Sequence, residues 1–471
     1  MPSPFHSLLS RRELLAQAGL GFGSLAMLDL MQRAADAAQN PLAAKQPDHP
    51  PKTRAVISLF MHGGPSQLDT FDPKPLLKKY AGQTLPSSYG NLDLEFTKTA
   101  TAKVLASRRT FHRCGDSGIE ISDLFPELSA HADQMAVVRS CHHNEFNHSP
   151  ALYLMHSGNR QMGRPSLGSW CTYGLGTEAE DLPGYVVMRD GPLKAGPMTY
   201  GTGFLPAAYQ STELRSAGTP ILHLNKPATA AQLDTRALLD FAQLLNHEHA
   251  ATRAEDSRLS ARIAAYELAF RMQTSAPEAI DIARESAATH RLYGLDRNET
   301  HSFGSQCLIA RRLIERGVRF VQLYHGGGNT GWDTHGNNDG QHRINALQTD
   351  RPIAGLLADL KARGLLDSTL ILWGGEFGRT PTSEGADGRD HSPYGFSIWM
   401  AGGGIRGGTV YGATDDFGFK AVENLVPIRD LHATILHLLG IDHEELTYLF
   451  QGLDQKLTGV EEARVIRSII A

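Results

Sequence analysis

Five stretches of the chain are runs of β-branched and other apolar residues that stop at glycine or a polar loop: "RAVISLFMHGG", "QMAVVRS", "GVRFVQLYHGGG", "STLILWGGE" and "YGFSIWMAGGG". A continuous apolar run of this length suits a strand covered on both faces, as in a parallel sheet. Between the third and fourth runs, "RPIAGLLADLKARGLLD" spaces its apolar residues at helical intervals, so helices connect the strands. The alternation predicts an α/β fold: a doubly wound, mostly parallel sheet with helices on both faces. From about 230 to 293 the pattern changes. That segment is rich in Ala and charge, with Leu259, Ile263, Tyr266 and Phe270 on one helical face, and predicts a helical insertion. Leu182 to Lys226, rich in Gly and Pro, reads as irregular surface structure.

The first 38 residues read as an export signal. Arg11-Arg12 precede a weakly apolar run from Leu14 to Leu28, and "AADAAQ" offers small residues for cleavage near Ala37 or Ala38. The run is too short to span a bilayer, so no transmembrane anchor is expected. The pattern resembles twin-arginine signals, which implies the twin-arginine export machinery as a partner and a periplasmic or extracellular location. Residues 39–52, "QNPLAAKQPDHPPK" from Gln39 to Lys52, suit a linker, and the folded body spans 53–471.

Composition narrows the function. With 41% hydrophobic residues the chain can bury a large core. A net charge of −5, without a local Lys/Arg cluster, argues against nucleic acid as a partner. Four scattered cysteines give no disulfide framework.

In an open α/β sheet, ligands bind beyond the carboxyl ends of the strands, so the residues just after each apolar run are the informative ones. His62, Ser66, Asp69 and Asp72 follow the first; His142, His143, His148 and Ser149 follow the second. His325, Asp333 and His335 follow the third, Glu376 and Arg379 the fourth, and Asp390-His391 precede the fifth. These residue types ligate hard or borderline divalent metals. "WDTH" puts an Asp and a His two apart in a Gly-flanked loop, where both can turn to one ion. In "GGEFGRT" a carboxylate at the tip of a buried strand costs several kcal/mol unless paired or metal-bound.

"TLILWGGEFGRT", then a His before "YGFSIWMAGGGIRGG", then "IRDLHATILHLLGID", resemble the C-terminal half of alkaline-phosphatase-like and sulfatase-like enzymes. More closely, "GGPSQLDTFDPKP", "WDTHGNN" and "GEFGRTP" resemble the DUF1501 family, placed in that superfamily. The resemblance implies metal ligation by Glu376, His391, Asp333 and His335. His62 stands where a first-strand metal Asp is usual, and Asp69 is the substitute. The segment that carries the nucleophile in those enzymes aligns His148 at its position, with Ser149 next to it. Phe377 stands where phosphatases have a second His, and the Cys and Arg of a formylglycine sulfatase are absent.

The expectation is therefore an exported metal-dependent hydrolase of phosphate or sulfate esters. The metal ligands would be Asp69, His148, Asp333, His335, Glu376 and His391. Metal-activated water, Ser149 or Ser66 would attack, and Arg379 would neutralise the anionic ester. Histidine and carboxylate donors favour zinc, with manganese or calcium as alternatives and room for two ions. The partner would be an anionic ester, a sulfated or phosphorylated small molecule or glycan. The alternative is a non-catalytic, exported metal- or glycan-binding protein on the same fold.

Overall fold

The computed structural model describes residues 40–89, 94, 96–98, 101–215, 275–327 and 331–471, with single positions between 237 and 272. The export signal and the face of Leu259, Ile263, Tyr266 and Phe270 lie outside the described residues.

The principal sheet contains β1 (Ala55–Met61), β2 (Met135–His142), β3 (Tyr185–Arg189), β4 (Thr212–Arg215), β5 (Phe320–His325) and β6 (Thr369–Gly374). A hairpin of β7 (Gly378–Glu384) and β8 (Gly388–Ser392) follows β6, outside that sheet. The sheet is completed by β9 (Phe396–Ala401), β10 (Thr409–Tyr411) and β11 (Val426–Pro427). Its order is β10-β2-β9-β6-β1-β5-β3-β4, with β11 also paired to β2. The mixed α/β class with a mostly parallel central sheet agrees with the sequence pattern.

All seven residues of β1 are buried, and they divide by parity. Ile57, Leu59 and Met61 enter one core with Phe303 and Leu308 of α3 (Asn298–Ile314) and Leu356 and Leu360 of α4 (Asn338–Ala362). Val56 and Phe60 enter the other with Leu152 of α1 (His148–Ser157), Trp170 of α2 (Leu167–Leu175) and Ile435 of α5 (Ile428–Leu438). A period-two strand with both faces covered has no polar side, which is why these runs are continuous. Each fully buried Leu, Ile or Phe contributes about 1.5–3 kcal/mol.

Three expectations need correction. The fifth run, β9, is antiparallel to both β2 and β6; its residues satisfy burial on both faces, which leaves strand direction open. The stretch from Leu182 to Lys226 is not all irregular, because "YVVMR" and "TELR" are the parallel strands β3 and β4. They are only five and four residues long, too short to stand out against the surrounding Gly and Pro. The polar stretch after β6 is the β7–β8 hairpin rather than an open loop.

Residues 40–52 contain no strand or helix but are tied to the domain. Lys45 N–H donates to the Leu175 carbonyl at 2.9 Å, Asp48 N–H to Gly440 at 2.8 Å and Lys52 N–H to Leu438 at 2.9 Å.

Candidate metal centre

β1, β5 and β6 are parallel and adjacent, so His62, the loop after His325 and Glu376 emerge at one edge. β2 runs the same way, bringing the start of α1 with it. Because β9 runs oppositely, its N-terminal end lies at that edge, so His391 must precede its strand while the other residues follow theirs.

Four residues converge. Potential ligand atoms of His148, Asp333, His335 and His391 all lie within 4.8 Å of one another. Asp333 Oδ1 is 2.9 Å from His335 Nε2, 3.1 Å from His391 Nε2 and 2.7 Å from Arg379 Nη2. Its Oδ2 is 3.2 Å from His148 Nε2 and also meets Lys194 Nζ.

The rings are held from behind by oxygen acceptors. His148 Nδ1 lies 2.7 Å from Glu376 Oε1, His335 Nδ1 2.6 Å from Glu384 Oε2, and His391 Nδ1 2.8 Å from the Phe146 carbonyl. A neutral imidazole that donates through Nδ1 carries its lone pair on Nε2. Each Nε2 facing Asp333 therefore either bears a proton or offers that lone pair to a cation. Buried His148 Nε2 lies 3.2 Å from Asp333 Oδ2. Three imidazoles and a carboxylate, each imidazole fixed through its far nitrogen, fit a divalent ion such as zinc or manganese.

The electrostatics agree. Burial pushes the Asp333 carboxyl up, but hydrogen bonds from His148, His335 and His391 and the charge of Arg379 outweigh it and hold it far below the ordinary carboxylate range. Burial lowers His148, yet Asp333 and Glu376 leave it raised; for His335, Asp333 and Glu384 do the same. Burial opposes ionisation of Glu376, while the hydrogen bond and charge of His148 bring it to about 2. The carboxylates of the cluster are held ionised, and the imidazoles of His148 and His335 beside them favour the charged form.

The other expected residues take different places. Glu376 is fully buried behind His148, with Gly63 N–H at 2.9 and 3.1 Å from its two oxygens. Gly63 has φ +112°, and a Cβ there would lie 2.5 Å from Asp333 N, so this approach requires glycine. Fully buried Arg379 spends its donors on the Gly63, Gly64 and Arg389 carbonyls and on Asp333. It fixes Asp333 instead of facing solvent. Asp69 is outside the four-residue group: Arg389 Nε at 3.0 Å, Ser66 and Ser107 hydroxyls at 2.6 Å and Asn338 Nδ2 at 3.0 Å occupy it. Ser66 is thereby committed to Asp69. Ser149 is half-buried at the start of α1, beside His148.

Of the remaining strand-end residues, His62 Nδ1 meets the Gly326 carbonyl at 3.0 Å, and His143 Nε2 meets the Glu376 carbonyl at 2.6 Å. His325 contacts Gln348 and the Trp332 indole, which holds the loop before Asp333. Asp72 pairs with Lys74 at 3.0 Å. Asp390 Oδ2 accepts from Phe96 N–H and Thr97 N–H at 2.9 and 2.8 Å, setting the exposed Phe96 ring against His335. Phe377 packs on His148 and His391, with ring centres 5.0 and 4.4 Å away. His335, Glu384 and Asp390 form a second convergent group that shares His335.

Sequence reading missed Lys194 and Glu384. Lys194 follows β3, whose shortness hid the strand end; Glu384 lies in the unforeseen hairpin.

Among the described residues no helix is long and apolar enough to cross a membrane. No curated protein matches the chain. Solved structures similar to it include the PsFucS1 sulfatase from Pseudoalteromonas sp., at 13% identity over 94% of this chain and 76% of that one, TM-score 0.37. The phosphonate monoester hydrolase SpPMH from Silicibacter pomeroyi is 12% identical over 74% and 71%, TM-score 0.34. The alkaline phosphatase of the Antarctic bacterium TAB5 is 12% identical over 84% and 99%, TM-score 0.32. Residues 53–470 match the family described as a protein of unknown function, DUF1501, and the chain belongs to that family.

Proposed function

We propose that this chain is an exported, metal-dependent hydrolase of phosphate or sulfate esters. One observation carries the reading: three imidazoles, each anchored through Nδ1, turn Nε2 toward a single carboxylate. His148, Asp333, His335 and His391 would hold the ion, with Glu376 and Glu384 orienting two of the rings. A bound divalent ion would supply Lewis acidity to the ester oxygens and a more acidic water. Arg379 keeps Asp333 ionised and oriented. Lys194, at the partly exposed rim, is placed to meet the anionic part of the substrate. The Ser149 hydroxyl, beside His148, is the side-chain nucleophile available if water does not attack. The chain's own export signal would be read by the twin-arginine machinery.

A second reading is an exported metal or glycan binder without turnover. Phe377 favours it, because an apolar ring occupies the position beside Glu376 and packs on two of the histidines.

The test is the metal content of the purified mature protein, followed by turnover of phosphate monoesters, phosphate diesters and sulfate esters by the wild type and His391→Ala. Near-stoichiometric metal and turnover lost in the variant are expected. Absence of bound metal in the wild type overturns the hydrolase reading; bound metal without turnover selects the binder.

A further inference from the structure

A groove of about 680 Å³, within the size range of ligand pockets, lies apart from the metal cluster. One wall is the outer face of α4 from Gly340 to Arg351, and the N-terminus of α3 contributes Arg297 and Thr300. Arg297, Arg343 and Arg351 line it, and none of the three is ion-paired among the described residues. Arg109 and the acids Asp123, Glu127 and Asp350 line it too, and the acids are mostly engaged. Asp350 accepts from Glu127 and Leu128 N–H at 2.9 and 2.8 Å, while Asp123 and Asp339 face Arg109 at 3.7 and 2.6 Å. Glu127 remains exposed. Three guanidinium groups that form no ion pair among the described residues suit sulfate or phosphate oxygens, which match their fork of donors.

The spacing indicates more than a single anion. Arg343 and Arg351 are eight residues apart on one helix, about 12 Å along its axis. Between them Ile344 and Leu347 are 50% and 55% exposed. We propose that this groove binds a linear polyanion, a sulfated or phosphorylated glycan, with its charged groups on the arginines and the apolar faces of its rings over Ile344 and Leu347. An acidic peptide fits less well. Helices and a turn segment line the groove, without a strand edge for a peptide backbone, and two exposed aliphatic residues, Ile344 and Leu347, are too few for an amphipathic helix. The loop carrying Asp333 and His335 leads directly into α4, so groove and metal cluster share one segment of chain. Binding by the groove does not depend on hydrolysis at the cluster.

The experiment measures binding of a fluorescent heparin-derived octasaccharide to the full mature chain at low and physiological salt. The proteins are the wild type, the double variant Arg343→Glu with Arg351→Glu, Ile344→Gln, and His335→Ala. Salt-sensitive binding is expected in the wild type, weakened about tenfold or more in the double variant. Ile344→Gln should weaken it less, and His335→Ala should leave it unchanged. Unchanged affinity in the double variant, with circular dichroism and unfolding midpoint preserved, overturns the proposal. Equal loss in His335→Ala does so too, by placing the octasaccharide at the metal cluster. If the double variant fails to fold, unchanged affinity in Ile344→Gln overturns the proposal in its place. Equally tight binding of poly-glutamate of matched charge would replace the glycan with an acidic peptide.

Discussion

Asp69 and Asp333 are both aspartates in polar segments beyond parallel strands, and both meet an arginine that is wholly buried. Their remaining neighbours separate them. Asp69 is surrounded by Arg389, two hydroxyls and an amide, all of which can only donate to it as placed. Asp333 faces three imidazole nitrogens, each able to donate a proton to it or, once deprotonated, to offer a lone pair. A carboxylate saturated by donors that cannot change role is finished as structure; one faced by imidazoles, which can donate or accept, can share a cation with them. Residue type and strand-end position do not distinguish them, whereas the protonation of the partners does.

The sharpest break of this contrast is His335→Ala. Its ring is a proposed ligand but is 30% exposed, so metal content measured by plasma emission should fall to background while the unfolding midpoint hardly moves. Asp69→Ala should do the reverse. It strands the buried Arg389 guanidinium, and denaturant unfolding should report a loss of about 3–5 kcal/mol, with the remaining folded protein still binding metal. Glu376→Gln lies between the two. It keeps the volume but weakens the acceptor behind His148, and competition with a chelator should show metal affinity reduced about 10–100-fold.

A pH titration of the chelated protein extends the comparison to neutral histidines. Burial lowers His143, His325, His342 and His432 to about 4, and His156 to about 3. The unfolded chain therefore takes up their protons first. Their contribution is complete above the unfolded value of 6.5 and is lost as pH falls toward 4, by at most about 1.4 kcal/mol per group per unit. Asp190 and Asp350, raised by burial to about 6, act oppositely and gain stability over the lower part of that range. With five groups against two, the thermal midpoint should drop between pH 6.5 and 4. A flat profile would contradict the neutral, buried state of the five.

The smallest effect belongs to Lys194→Ala. Its side chain is 35% exposed, so KM for an anionic ester should rise a few-fold while kcat stays within about twofold. An unchanged KM would remove Lys194 from substrate contact.

Much of this architecture was legible from sequence because buried parallel strands leave a continuous apolar trace. Their ends then pointed to His148, Asp333, His335 and His391, which the fold brings together. The antiparallel sense of β9 was not legible, since burial on both faces erases direction. Nor were the partners of Asp69: Arg389 and Ser107 are separated from it by 320 and 38 residues, and only tertiary packing makes them neighbours. The distinction between Glu376 as ligand and Glu376 as the group behind His148 depends on where its two oxygens point, which no residue pattern encodes.

The pairing of His148 with Glu376 closes a span of 228 residues. Loop-closure entropy places such contacts late, after the sheet between them has assembled. Uptake of the proposed ion would then be a clock for the last stage of folding: a stopped-flow signal from a metal-sensitive dye should lag the recovery of tryptophan fluorescence.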